Sequence, residues 1–326
     1  MITTSAKRIG ALAIAATVLV AACGGSSSSP AAPAASAASA AAATSAPSAA
    51  AAASGAAPSG VAGPATCVDG SITTSGSTAL QPLIDAAGKA YTAACPKSTI
   101  SVQGGGSGTG LTQVLQGAVQ IGDSDVTAES KLQASDASQL VDHVTTKQGW
   151  VVVTNTGVAG VTSLTSQQLQ DMWACPSGQS APKITNWKDV GGPDLPIVLI
   201  LRPASSGTRA TFKQVVLNGQ TECSGQALTE DSNGAVTAAV SQTPGSISVI
   251  GFAYYQANKD KVAAIALDGV AGSVANMASG TYKLAAQGHM YTKGQPTGLT
   301  KSFLDYMMSD PIQKTLIPSL FYAPVQ

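Results

Sequence analysis

Three short loops rich in glycine, serine and threonine constrain the fold of this chain more than any other feature, because each sits between a β-leaning run and a helix-period stretch. Gly76-Ser77-Thr78 follows the run Ser71–Ser75 and precedes the apolar-periodic stretch Ala79–Ala94. Gly104–Gly110 follows the alternating Thr99–Gln103 and precedes a helix expected over Leu111–Gly117. Ser205–Arg209 follows the buried-type strand Ile197–Leu201 and Arg202, and leads into a helix expected over Ala210–Leu217. Strand, tight turn and helix in repeated succession predict an α/β fold built on a largely parallel sheet. Further strands are expected at Val119–Gly122, which ends in Asp123-Ser124-Asp125, and at Gly149–Asn155, Ile247–Tyr254 and Leu284–Thr292. Further helices are expected at Ser166–Trp173, Asn233–Val240 and Leu299–Met308. The apolar periodicity assigns these types.

The same loops carry the chemistry. A helix start presents unpaired N–H groups and a partial positive charge, glycine allows close backbone approach, and hydroxyls add donors, so such turns suit an oxyanion. Any one of them reads equally well as an ordinary helix cap. Three in one chain, one flanked by Arg202 and Arg209, point to anion binding. Competing motifs fail on their spacing. Gly105 and Gly110 have P-loop separation, but Leu111 stands where lysine is required. Gly104 and Gly106 are followed by Thr109 rather than the third glycine of a dinucleotide fingerprint. Neither Ser107 nor Ser206 is bracketed by glycines as a hydrolase nucleophile would be. With two histidines, His143 and His289, and no CxxC pair, neither a metal site nor a cofactor is expected, and the chain reads as a binder rather than an enzyme.

The N-terminal part is not a fold. Lys7 and Arg8 precede an uncharged run of small and aliphatic residues, Ala11–Ala22, which is shorter than the roughly 20 residues needed to span a bilayer. This is the pattern of an export signal over residues 1–22. Leu19-Val20-Ala21-Ala22-Cys23-Gly24 resembles a bacterial lipobox, so Cys23 is the expected site of lipidation and the anchor to a membrane. Residues 23–66 continue almost entirely in Ala, Ser, Pro and Gly without a charge or an aromatic ring, and such a segment cannot offset its ordering entropy. A flexible tether of about 40 residues has an end-to-end distance of roughly 35 Å. The formal net charge is +0, which gives no reason to expect nucleic acid as a partner.

From about Gly70 to Ala323, nearly all of the remaining 260 residues, the chain resembles the phosphate-binding subunits of high-affinity phosphate ABC transporters. The resemblance is carried by Gly-Ser-Thr-Ala-Leu-Gln-Pro-Leu (76–83), Gln-Gly-Gly-Gly-Ser-Gly-Thr-Gly (103–110), Ile-Gly-Asp-Ser-Asp (121–125) and Ser-Ser-Gly-Thr-Arg (205–209) in that order. Ile-Thr-Asn-Trp-Lys-Asp-Val-Gly-Gly-Pro (184–193) and Ser-Asn-Gly-Ala-Val (232–236) add to it. It implies a two-lobed periplasmic-binding-protein fold of type II, each lobe a mixed sheet flanked by helices. Residues 67–152 and 286–326 would form lobe I and residues 153–285 lobe II, with hinge crossings near Val151–Thr154 and Gln287–Tyr291. It further implies capture of inorganic phosphate in the interlobe cleft, delivery to an ABC permease, and a monomer working in the periplasm or at the cell surface.

Carried over by motif, the ligand set is Thr78 through its hydroxyl, the Ala79 N–H, Ser107, Asp125, Arg202, Ser206, Gly207 and Thr208, with Arg209 a weaker member. Pro203-Ala204 stand where many relatives have an acidic residue after the arginine, so Arg202 is expected to be oriented differently here. Asp125 has a physical purpose in such a site: hydrogen phosphate can donate its remaining proton to a carboxylate, whereas sulfate cannot, and sites that read one hydrogen discriminate strongly. Another tetrahedral oxyanion, an exported phosphatase on the same fold, and an adhesin with a vestigial pocket are the alternatives. Four cysteines follow Cys23 and allow three pairings. Cys67–Cys95 with Cys175–Cys223 is favoured, because each then closes a loop within one expected lobe.

Overall fold

The computed structural model describes residues 60–175, 181–223 and 227–325. The signal, Cys23 and all of the tether before residue 60 lie outside the described residues.

Among the described residues, ten strands run β1 (Gly70–Gly76), β2 (Ser98–Gln103), β3 (Ile121–Ser124), β4 (Leu140–Asn155), β5 (Ser163–Leu164), β6 (Val198–Leu201), β7 (Ala227–Thr229), β8 (Ser246–Gly251), β9 (Val262–Leu267) and β10 (Ala285–Lys293). The helices are α1 (Gln81–Ala94), α2 (Ser107–Leu115), α3 (Ala134–Ala137), α4 (Ser166–Trp173), α5 (Gly207–Val215), α6 (Asn233–Gln242), α7 (Phe252–Ala257), α8 (Val274–Ala278), α9 (Gly298–Met307) and α10 (Ile317–Ser319). A π-helical stretch, Pro311–Leu316, leads into the last of these.

The strand order is β2-β1-β3-β10-β4-β8-β6-β7, with β9 added to β4 and β5 to β9. β1 is parallel to both β2 and β3, and β6 is parallel to both β7 and β8. β10 is antiparallel to β3 and β4. The sheet is therefore mixed, with parallel strand–turn–helix units on either side of an antiparallel centre, as the α/β reading predicts. β4 is the shared element. It pairs with β10 over Leu140–Gly149 and with β8 over Trp150–Thr154.

Each half of the sheet has its own core. On the β1 side, Leu83, Ile84 and Tyr91 of α1 pack with Ile72, Ile121, Met290 and with Phe303 and Met307 of α9. These α1 positions recur at helical spacing and put one face on the sheet. On the β8 side, Trp150, Val152, Trp173, Trp187, Phe212 and Ile250 form the second core, and all three tryptophans are fully buried. Val151-Val152-Val153 is buried on both faces, as a central strand of a covered sheet requires. The Thr165 hydroxyl accepts the Gln168 N–H at 3.1 Å while the Gln168 side chain accepts the Thr165 N–H at 2.8 Å, a capping box that starts α4 at Ser166 as expected. Cys67 pairs with Cys95 and Cys175 with Cys223, which is the favoured pairing.

Several boundaries differ from the expected ones. α2 begins at Ser107 rather than Leu111, and α5 at Gly207 rather than Ala210. Gly108 and Gly110 thus belong to α2 and Gly207 to α5, while Gly104, Gly105 and Gly106 precede the helix. A Cβ on Gly110 would lie 2.7 Å from the Gly76 Cα, so glycine there serves close helix–strand packing rather than a loop. The expected strand Ile247–Tyr254 stops at Gly251 and its last residues open α7. β4 starts nine residues before the expected strand, because Leu140–Gln148 pairs with β10 although its outward positions are polar. Among the described residues no helix is long and apolar enough to cross a membrane.

Candidate functional site

The three glycine-rich turns meet at one place, where the carboxyl ends of β1, β3 and β6 face one another. After β1, the Ser77 N–H donates to the Asp123 carbonyl at 2.9 Å, which ties the first turn to β3. The Ser77 hydroxyl accepts the N–H groups of Ala79 and Leu80, both at 3.1 Å, and itself donates to Asp125 Oδ1. Asp125 stands just past β3 and is 2% exposed. Its Oδ1 also accepts from Gln148 Nε2 at 2.8 Å, its Oδ2 accepts from the Thr208 hydroxyl at 3.4 Å, and its backbone N–H donates to the Ser107 hydroxyl oxygen at 3.0 Å. Burial pushes the Asp125 carboxyl above the usual range, while Ser77, Gln148, Arg202 and Thr208 work in the opposite direction.

From the other half comes Arg202, at the end of β6 and 4% exposed. Its Nε donates to the Glu230 carbonyl at 3.0 Å and its Nη2 to the Asp231 carbonyl at 2.9 Å. Two backbone carbonyls thus orient the guanidinium in place of the missing acidic neighbour. Nη2 also reaches the Thr78 hydroxyl at 3.3 Å, while Nη1 is buried without a partner. A buried guanidinium N–H left unpaired is costly and marks a place for an acceptor. Burial draws the Arg202 pKa down to about 10, against the pull of Asp125 and Asp231, so the group keeps its charge at neutral pH. The Thr78 hydroxyl further accepts from Asn233 Nδ2 at 2.9 Å and from the Asn233 N–H at 3.3 Å. With its oxygen accepting from Arg202 and Asn233, that hydroxyl has its own hydrogen to donate.

The α5 start closes the cluster. Ser206 caps the helix, its hydroxyl accepting the Arg209 N–H at 3.2 Å. A Cβ on Gly207 would lie 2.6 Å from Asp125 Cβ and 2.7 Å from its Oδ2, so α5 abuts the carboxyl itself. The first-turn N–H groups of Gly207 and Thr208 have no intrahelical partner.

Of the expected ligand set, Thr78, Ser107, Asp125, Arg202, Gly207 and Thr208 come together, with Ser206 as the cap of the helix that delivers the last two. The Ala79 N–H is directed to Ser77. Arg209 turns away from the cluster: its Nε pairs with Glu222 at 2.5 Å and its Nη1 donates to the Arg202 carbonyl at 2.8 Å. Ser77, Gln148 and Asn233 complete the site and were not singled out from the sequence. Ser77 reads as a cap, and it is one; only the fold gives it a second partner 48 residues away. Asn233 opens α6 within Ser-Asn-Gly-Ala-Val (232–236), which is the signal that could have found it. Gln148 is a polar residue buried in the middle of β4, with no local sequence cue.

A family model described as a PBP superfamily domain matches residues 29–311. The chain belongs to the PBP superfamily. Within that superfamily it is 45% identical over 256 residues to the phosphate-binding protein PstS of Bacillus subtilis, covering 78% of this chain and 81% of that one. Among solved structures, one from Clostridium perfringens, assigned as a phosphate ABC transporter substrate-binding protein with bound phosphate, superposes with a TM-score of 0.70 at 28% identity, over 79% of this chain and 100% of the other. An ABC-type phosphate transport receptor from Vibrio cholerae superposes with a TM-score of 0.60 at 27% identity, over 78% of this chain and 100% of the other. The two-lobed α/β fold and the family resemblance read from the sequence are both borne out.

Proposed function

We propose that this protein captures inorganic phosphate between its lobes and hands it to the permease of an ABC importer, working as a monomer without cofactor or catalysis. The observation that carries this reading is the buried pair across the cleft: the Asp125 carboxyl on one side and Arg202, with its unpartnered Nη1, on the other. A tetrahedral anion needs donors around most of its oxygens, and Arg202, Thr78, Ser107 and the α5 N–H groups supply them. Hydrogen phosphate, unlike sulfate or molybdate at neutral pH, also needs an acceptor, which Asp125 is. Relatives named for phosphate binding support the same ligand.

The ligand set we assign is Thr78, Ser107, Asp125, Arg202, Gly207 and Thr208, with Ser206 capping α5 and Ser77, Gln148 and Asn233 holding the ligands in place. Ala79 and Arg209, expected as ligands from the sequence, act through neighbours: the first through the Ser77 hydroxyl, the second through Glu222 and the Arg202 carbonyl. We place the lobe boundaries near residues 150 and 285, close to the expected 152 and 286, because β4 exchanges β10 for β8 between Gly149 and Trp150. Export through residues 1–22 and lipidation at Cys23 would hold the receptor at the outer face of a membrane.

Thermal unfolding of the purified protein with phosphate, sulfate or molybdate tests the reading. A ligand at about a thousand times its Kd stabilises by roughly 4 kcal/mol, which raises the midpoint by about 10 °C in a domain of this size. Phosphate is expected to give that shift and sulfate little or none. Equal shifts from both, or a shift from molybdate alone, contradict the assignment.

A further inference from the structure

Three consecutive carbonyls of the loop that carries the α5 start are held from the opposite lobe. Lys131 Nζ donates to the Ala204 carbonyl at 2.8 Å and to the Ser206 carbonyl at 3.2 Å, and between them the Gly108 N–H donates to the Ser205 carbonyl at 2.8 Å. Lys131 belongs to the β3 side of the cleft. It ends the short 3₁₀ turn Ala128–Ser130, three residues beyond Asp125, and its backbone N–H closes that turn on the Ala128 carbonyl at 3.0 Å. The turn is anchored in turn: the Ala128 N–H donates to the Tyr291 hydroxyl at 3.1 Å, and that hydroxyl donates to Asp142 at 3.1 Å. Asp142 is also held by His289 Nδ1 at 2.9 Å. The segment from Asp125 to Lys131 is thus fixed to its own lobe at one end and reaches across the cleft at the other.

Resting on the phosphate-receptor reading, we propose that Lys131 is an interlobe latch: a positioning residue that holds the Ala204–Ser206 loop shut over the bound anion and sets its rate of escape. Its acceptors flank the residues that deliver the Gly207 and Thr208 N–H groups, so the bonds form only when the lobes are together and the loop is in its binding position. The latch is coupled to the ligand by charge. Closing brings the ammonium beside Arg209 and the positive end of α5, an arrangement that repels a cation. Burial and Arg209 both draw the Lys131 pKa down, and the charge of Asp125 opposes them. An anion in the cleft removes that repulsion, which makes the closed, latched state favourable when the site is filled. Lys131 makes no hydrogen bond to the Asp125 carboxyl, so the latch holds any bound anion without reading its proton.

The test is a chase of labelled phosphate from the wild type and from Lys131→Met, Lys131→Gln and Lys131→Arg, with association rates from rapid mixing. Lys131→Met keeps the aliphatic stem and loses both charge-assisted bonds, so its dissociation rate is expected to rise roughly tenfold with association little changed. Lys131→Gln is expected to match it, and Lys131→Arg to restore most of the slow release. The preference for phosphate over sulfate is expected to be the same in all four proteins. A wild type that binds phosphate and a Lys131→Met protein that releases it at the wild-type rate overturn the latch and leave the receptor reading standing. A wild type that binds sulfate or molybdate instead overturns the phosphate reading, and the same chase with that anion then decides the latch; binding of none of them overturns both.

Discussion

On the β3 side of the cleft, Asp125 is wrapped by Ser77, Gln148 and Thr208, whereas on the β6 side Arg202 is fixed by carbonyls through Nε and Nη2 and keeps Nη1 without a partner. The first half is an acceptor whose own needs are met. The second is a donor with one need outstanding. The difference separates two tasks that a binding site must perform. In the site we propose, the unpaired cation would supply attraction for any anion, and the carboxyl, held in one orientation by three donors, would decide which anion is accepted. Charge in a dry cleft is strong but undiscriminating, whereas a fixed hydrogen-bond acceptor rejects a ligand that brings no hydrogen.

The strongest way to break this division is Arg202→Met. It removes the charge and the free N–H together, and phosphate affinity is expected to fall by about 100-fold or more by titration calorimetry, with sulfate binding lost as well. Retention of phosphate affinity within a few fold would move attraction elsewhere. Asp125→Asn comes next. It replaces the acceptor with a mixed donor and acceptor, and phosphate affinity is expected to drop by tens of fold while the ratio of phosphate to sulfate affinity narrows. A variant weaker for both ions with an unchanged ratio would show that Asp125 positions the site without reading the proton. Gly207→Ala sharpens the comparison by keeping both halves intact and preventing their contact. The new Cβ would meet Ser107 Oγ and the Asp125 side chain, so affinity should fall by about tenfold with the unliganded thermal midpoint unchanged. A lowered midpoint without an affinity change would place the clash within one lobe rather than between two.

The smallest expected effect concerns Asp123, two residues before Asp125. Asp123 is 1% exposed, its Oδ1 has no partner, and burial holds its pKa well above the ordinary value, with Asp125 adding to the rise. A carboxyl raised in the folded state contributes stability that is fully present below its unfolded pKa of about 3.9 and is lost as pH rises through the folded value. Asp123→Asn keeps the shape and removes the ionisation. As pH rises above about 4, the wild-type midpoint is therefore expected to fall behind the variant by a few degrees. Parallel curves across pH would show that Asp123 finds a partner in solution.

The local parts of this site were legible because helix starts and glycine-rich turns leave marks in the sequence. Gly76-Ser77-Thr78, the Gly104–Gly110 turn and Ser205–Arg209 could each be read as a helix-entry loop with anion-binding chemistry. What was not legible depends on distance along the chain. Arg202 and Arg209 flank one loop and both read as ligands, Arg209 the weaker, yet what takes Arg209 out of the set is Glu222, through a contact that only the fold creates. Gln148 and Asn233 act through partners 23 and 155 residues away, and nothing near them in sequence announces those partners. The early starts of α2 and α5 were missed for a related reason. Glycines chosen for tight packing against Gly76 and against Asp125 look the same in a sequence as glycines chosen for a flexible loop.

The most direct test of the division between attraction and recognition is a crystal structure of the protein grown with phosphate. The account predicts one ion between the lobes, with one oxygen accepting from Arg202 Nη1 and another within hydrogen-bond distance of the Asp125 carboxyl. An ion held by Arg202 with Asp125 turned away from it, or an ion bound outside the cleft, would contradict it.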